Sequence, residues 1–319
     1  MTELQAALTF SSDIGGSVTR YFDMEPPFEE MISLIPRVSM RPRWTGLPSY
    51  PVPLQSDIIF KVILFDLDDT LMPDESAADE AILAVAQHAK AIHNIAPEEL
   101  RRSVRRIARR LWRSHPVVAP HNGRFDVSSW SALSARFDGN DEEMEALHAW
   151  APEYRHEVWA LALAENGIAD PMLSDQLAAL YPSERRARYL PFPDAVPTLD
   201  ELKQEYKLAL VTNGPRDLQC DKLERAGLGE YFPVRVISRE VGVMKPNPCI
   251  FAITLERLGV SAAEAVMVGD SLRSDIAGAQ AAGIRSVWFN PSGSSLPEGI
   301  KADAVIDSLA ELPGKLSRV

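Results

Sequence analysis

Asp66 and Asp68 stand two residues apart in the segment Asp66-Leu67-Asp68-Asp69-Thr70, directly after the apolar run from Ile58 to Phe65. Two further polar clusters close apolar segments in the same way: Thr212-Asn213-Gly214, and Gly269-Asp270-Ser271 with Asp275 five residues beyond Asp270. Lys245-Pro246 is a fourth polar element. A carboxylate can attack phosphorus as a nucleophile. A second carboxyl two residues on, Asp68, can protonate the leaving oxygen and later deprotonate the attacking water. Asp66 and Asp270 would repel if brought face to face. A hard divalent cation relieves that, and Mg²⁺ favours one or two carboxylates completed by water and phosphate oxygens. With Lys245 added, two carboxylates and a phosphate dianion nearly balance the positive charge. Thr212 and backbone amides near 67–68 and 213 can hold the transferring oxygens.

The elements that must position these groups are legible as alternation. Residues 58–65 are apolar and largely β-branched, as in a buried strand of a parallel sheet. From 196 onward, segments of helical period alternate with the apolar strands ending at Thr212, near Ser238, at Gly269 and near Asn290, with a last short strand at 304–306. Such alternation predicts a doubly wound parallel α/β sheet, whose strands of one sense end along one edge. Between the two α/β parts, helical periodicity runs over 75–93, 97–114, 141–150, 152–167 and 172–188, with a loop over 115–128. The predicted organisation is a Pro-rich N-terminal extension (1–57), an α/β core (58–73 and 191–319) and an inserted all-helical cap (74–190). In the extension, the prolines exclude a long helix or central strand, and Met31-Ile-Ser-Leu-Ile has the makings of one apolar turn.

Composition narrows the function classes. The 319 residues carry a formal charge of −12, with 46% apolar and 24% charged residues. That balance is ordinary for a globular protein and speaks against a nucleic-acid or anionic-membrane partner. An anionic substrate must then be drawn in by local charge. Cys220 and Cys249 are the two cysteines; they make no disulfide framework, so a reducing cytoplasm is expected, and both read as semi-buried small hydrophobes. There is no signal-peptide pattern and no apolar stretch of membrane-spanning length.

Taken together, the four motifs in this order resemble the haloacid dehalogenase superfamily, in the group of phosphatases with a helical cap after the first motif. The resemblance covers about 58–290, the cap by position and helical character only. It implies Asp66 as nucleophile, Asp68 as acid–base, and Thr212 and Lys245 as further catalytic groups. Thr70, Asn213 and Lys245 would contact the phosphoryl group. Mg²⁺ would be held by Asp66, the backbone carbonyl of Asp68 and Asp270, with Asp275 binding through water or orienting Lys245. Asn247 stands where many relatives carry Asp, a change expected to be silent.

The implied activity is hydrolysis of a small soluble phosphorylated metabolite through an aspartyl-phosphate. The rivals are a phosphomutase, a 2-haloacid dehalogenase (which needs neither Asp68 as an acid nor Mg²⁺) and a non-catalytic binding module. The sequence names neither the substrate nor an oligomeric state. Seven arginines lie on one face of residues 101–113, either as a solvated face paired with nearby acids or as a basic patch for a polyanionic ligand. Arg185, Arg186 and Arg188 read the same way. His115 and His121 fall in the cap loop, within reach of substrate but read as solvated; Trp130, Trp150 and Trp159 read as cap core.

Overall fold

The computed structural model describes residues 60–316, apart from 122–124, 140 and 297–299. The expectations for 1–57, the apolar turn at Met31 included, lie outside the described residues.

The first strand, β1 (Val62–Phe65), is buried on both faces. The helices of the insertion follow: α1 (Glu75–His93), α2 (Pro97–Ser114), α3 (Ser129–Ala132), α4 (Glu142–Glu165) and α5 (Pro171–Arg186). The α/β pattern then runs α6 (Ala195–Leu202), β2 (Lys207–Thr212), α7 (Arg216–Arg225), β3 (Val234–Ile237), α8 (Ser238–Val241) and α9 (Pro248–Leu258). It closes with β4 (Ala265–Gly269), a π-helical turn at Leu272–Ile276, α10 (Ala277–Ala281), β5 (Arg285–Phe289), β6 (Ala304–Ile306) and α11 (Leu312–Leu316).

All six strands are parallel, in the order β3-β2-β1-β4-β5-β6. This is the doubly wound sheet that the alternation predicts. The order turns back between β1 and β4, where open α/β sheets leave a crevice at their carboxyl ends. Alternate residues of the strands enter two apolar layers. Val62, Leu64, Val211 and Met267 pack with α9 and α10 residues such as Phe251 and Ala279. Ile63, Phe65, Leu210 and Val268 face the other way, with Leu199 of α6, Leu218 of α7 and Leu312 of α11. That second layer continues into α1–α5, so the inserted helices share an apolar core with one face of the sheet. Among the described residues no helix is long and apolar enough to cross a membrane.

One helix boundary differs from the sequence reading. The segments 141–150 and 152–167 form a single helix, α4, with Pro152 inside it. Proline removes one backbone hydrogen bond and disfavours a helix interior. Here Leu147 and Ala151 before it, and Tyr154, Val158 and Trp159 after it, are buried along one side, and that burial carries the helix through. The Asp141 carboxylate caps its start, accepting from the Met144 amide at 2.9 Å.

Candidate active site

Two strand ends and the turn after the second deliver the acidic groups to one place. Asp66 follows β1 and its amide donates to the Val268 carbonyl of β4 at 3.0 Å, so the two strand ends stay in register up to the site. Asp270 follows β4, and Asp275 comes from the π-helical turn, whose looser winding lets both the Asp275 and the Ile276 amide reach the Ser271 carbonyl. Ligand atoms of Asp66, Asp270 and Asp275 lie within 4.8 Å of one another. Gly269 makes room for this: a Cβ there would sit 2.3 Å from Asp275 Oδ2. Lys245 Nζ donates to Asp66 Oδ1 and to Asp275 Oδ1, both at 2.7 Å, and is buried.

Three carboxylates against one ammonium leave a formal charge of −2. The electrostatics express that deficit. Burial pushes Asp66 up to about 6, against the pull of Lys245. Burial, then the neighbouring Asp275 and Asp66, push Asp270 up to about 8. Burial alone would lower Lys245, but Asp275 and Asp66 outweigh it and hold its pKa above the ordinary lysine value. The donor set is all oxygen and short by two positive charges, which fits a hard divalent cation.

A second ionic group adjoins the first and, unlike it, is self-neutralised. Lys222 of α7 is buried and donates to Asp68 Oδ1 and to Asp74 Oδ1, both at 2.7 Å. Arg185, from the last turn of α5, is fully buried and donates to Asp74 Oδ1 at 2.5 Å. Trp130 Nε1 and the Ser131 hydroxyl donate to Asp74 Oδ2 at 2.9 and 3.2 Å. Two carboxylates thus meet two cations, leaving no charge for a metal to balance. Burial would raise the Asp74 carboxyl, but Lys222 and Arg185 hold it well below the usual carboxylate range. Burial pushes Asp68 up, against the pull of Lys222. Gln219 Nε2 donates to Asp68 Oδ2 at 3.1 Å and to the Thr212 hydroxyl at 2.6 Å, linking Asp68 to β2.

A cavity of about 240 Å³ opens onto both groups. Of the residues singled out from the sequence, Asp66, Asp68, Thr212, Asn213, Lys245 and Asp270 line it. Asp275 is buried behind Lys245. Thr70 is not on the wall. It is buried, donates to Asp270 Oδ1 at 3.1 Å and accepts from the Asp270 amide at 3.0 Å, so what it touches is Asp270. The Asn213 side chain, though on the wall, clasps the backbone of Lys245 through both its atoms, at 2.9 and 3.1 Å. Asn247 caps α9 by accepting from the Cys249 amide at 3.0 Å, which either Asn or Asp can do.

Several residues belong here that sequence reading did not single out. Lys222, Gln219 and Asp74 line the cavity, and the helical layer adds Asp126, Ser128 and Ser131. Gln219 and Lys222 sit three residues apart on a short helix that starts just after Thr212-Asn213-Gly214; that placement was the one local signal, and their burial comes only with the fold. Two readings need correcting. Trp130 is only half-buried, lines the cavity and lies under the Arg105 guanidinium at 3.9 Å, because its indole N–H reaches Asp74. Arg185 is no solvated side chain; Asp74 draws it inward, with Tyr189 beneath its guanidinium at 5.0 Å. Trp159 is buried as expected, and Trp150 stacks on His115 at 4.2 Å. Neither His115 nor His121 lines the 240 Å³ cavity. Cys220 is half-buried as expected, but the semi-buried reading of Cys249 is also corrected: in the first turn of α9 it is exposed.

A family model described as haloacid dehalogenase-like hydrolase matches residues 60–283. The chain is 38% identical over 231 residues to the phosphoserine phosphatase of Thermus thermophilus, covering 72% of this chain and 88% of that one. It is 34% identical over 233 residues to the glyceraldehyde 3-phosphate phosphatase of Methanopyrus kandleri, covering 72% and 83%. In fold it is similar to the HAD-hydrolase YfnB of Bacillus subtilis, solved bound to magnesium, with a TM-score of 0.57 at 24% identity over 81% of this chain and 99% of that one. The chain belongs to the haloacid dehalogenase-like hydrolases.

Proposed function

We propose that the protein is a Mg²⁺-dependent phosphoric monoester hydrolase that acts on a small phosphorylated metabolite through an aspartyl-phosphate on Asp66. The observation that carries this reading is the pairing of two unlike acids in one cavity. Asp66 belongs to a cluster short of positive charge, whereas Asp68, two residues on, belongs to one that is balanced. The phosphatase names of the relatives support the same reading.

Asp66, Asp270 and the backbone carbonyl of Asp68 would hold Mg²⁺, with Asp275 behind them. The cation would neutralise the carboxylates and the phosphoryl oxygens, so that a dianion can approach an anionic nucleophile. Asp66 attacks phosphorus, the phosphorus–oxygen bond to the alcohol breaks, and Asp68 passes its proton to the departing oxygen. Water then attacks phosphorus, Asp68 takes its proton, and the bond to Asp66 breaks to release phosphate. Thr212 and Lys245 hold transferring oxygens, and Thr70 and Asn213 steady Asp270 and Lys245. Residues 74–190 act as a cap over a core of 58–73 and 191–319, excluding water during the first step and admitting it for the second. Residues 1–57 are an extension outside this chemistry. Two unpaired cysteines suit a cytoplasmic protein.

The test is Mg²⁺-dependent turnover of p-nitrophenyl phosphate, with beryllium fluoride as a trap for the phosphorylated carboxylate. Turnover should vanish with Asp66→Asn, and trapping should need Asp66 and Mg²⁺ together. A folded Asp66→Asn protein that still turns over well above background overturns the assignment. Release of halide from 2-haloacids without Mg²⁺ would point to the dehalogenase chemistry instead.

A further inference from the structure

The arginines of α2 divide by what they touch. Arg101 pairs with Glu98 and Asp79, Arg102 with Glu99, Arg105 with Glu75 and Asp79, and Arg106 with Glu165. Arg109 and Arg113, one helical turn apart, have no hydrogen-bond or ion-pair partner among the described residues. Both line a second cavity of about 510 Å³, together with the aromatic residues Trp112, Phe125 and Trp130. This chamber adjoins the catalytic one: Asp126, Val127, Ser128, Trp130 and Asn213 line both. Its lining contains one carboxylate, Asp126, and that is engaged by Arg239 Nε at 2.9 Å and by the Ser238 hydroxyl at 2.8 Å. Two uncompensated guanidiniums therefore face a chamber next to Asn213, in a chain whose overall charge is −12.

A guanidinium presents a planar fork of donors that matches the oxygens of a carboxylate or phosphate. Two of them at i and i+4 can share one such group. We propose that the second chamber is the leaving-group subsite, and that Arg109 and Arg113 bind an additional oxyanion carried by the alcohol, so that the preferred substrates are phosphomonoesters of acidic alcohols. This rests on the phosphatase reading and narrows its substrate class. The aromatic walls exclude water around the carbon skeleton, and the arginines orient its far end while the phosphoryl group sits over Asp66.

The test compares kcat/KM within matched pairs: 3-phosphoglycerate against glycerol 1-phosphate for a carboxylate, and fructose 1,6-bisphosphate against fructose 6-phosphate for a second phosphate. At least one pair should favour the more anionic member tenfold or more, and the favoured pair tells carboxylate from phosphate. The preference should weaken with added salt, since exposed charges are screened over about 10 Å at 0.1 M. Arg109→Gln combined with Arg113→Gln should reduce the preference at least tenfold, mainly through KM. Arg102→Gln combined with Arg106→Gln, on the same helix outside the chamber, should leave it intact. No preference in either pair, or one that survives the first double variant, overturns the subsite while p-nitrophenyl phosphate turnover in the same preparation upholds the phosphatase reading. No Mg²⁺-dependent turnover of any of these esters overturns both.

Discussion

Replacing Lys222 with methionine isolates the balanced ionic group. The ammonium lies 2.7 Å from Asp68 Oδ1 and 2.7 Å from Asp74 Oδ1, with a side chain only 1% exposed. At an effective dielectric of about 20, each contact is worth roughly 6 kcal/mol of gross attraction, most of it offset by the several kcal/mol needed to desolvate each ion. Removing one partner leaves the desolvation without the attraction, which costs about 3–5 kcal/mol. Among the described residues, Asp74 keeps Arg185, Trp130 and Ser131, but Asp68 keeps only Gln219. The lower end, about 3 kcal/mol, is therefore expected, or a fall in Tm of roughly 5–10 °C.

The pH dependence has a definite sign. Burial would lower the Lys222 pKa, but Asp68 and Asp74 hold it above its unfolded value, so its stabilisation is complete below about pH 10.4 and is lost only as the pH rises past the folded value. Asp74 is depressed, so its share is present above about pH 4 and is lost as the pH falls. The penalty of Lys222→Met should then be full at pH 7–8 and shrink as the pH falls, since burial pushes Asp68 up and makes it the readier of the two acids to take a proton. Urea denaturation at pH 4.5 and 8 measures this. A penalty below about 1 kcal/mol, or one equal at both pH values, refutes the pairing; Lys222→Arg should recover part of the loss.

Asp68→Asn should slow hydrolysis of alkyl phosphates by roughly 100-fold or more, as expected for loss of an acid–base group, and p-nitrophenyl phosphate by much less; equal losses would count against the proton-transfer role. Mg²⁺ should raise Tm more at pH 8 than at pH 6. Asp270 is held near 8 and Asp66 near 6, so at pH 6 the cation must displace protons, and affinity weakens up to about tenfold per pH unit; identical shifts at the two pH values would exclude this. Gly269→Ala puts a methyl group 2.3 Å from Asp275 Oδ2, so it should cost about 1–3 kcal/mol of stability and weaken Mg²⁺ binding, and a variant with unchanged Mg²⁺ titration would show that Asp275 does not need that space.

What the sequence by itself determined is the sheet and the acids at its edge. Parallel strands buried on both faces must be apolar throughout, so Val62–Phe65 and Ala265–Gly269 announce themselves, and the polar residue that ends each run has to lie at the carboxyl edge. That rule alone brings Asp66, Thr212 and Asp270 together, because it depends on local pattern and on the parallel sense of the strands. The pairings that select among polar residues were not local. Lys222 meets Asp68 and Asp74 across 154 and 148 positions of chain, and Arg185 meets Asp74 across 111. A lysine on a short helix and an arginine in a basic stretch look solvated until folding removes the water and leaves a carboxylate as the best partner. The arginine row of α2 makes the same point. Periodicity puts seven cations on one side of a helix and lets Arg102 meet Glu99 locally, but only the packing of α1, α4 and the 125–130 segment decides that Arg101, Arg105 and Arg106 meet Asp79, Glu75 and Glu165 while Arg109 and Arg113 face a cavity. Charge is written in the sequence; which charges remain uncompensated is a property of the assembled fold.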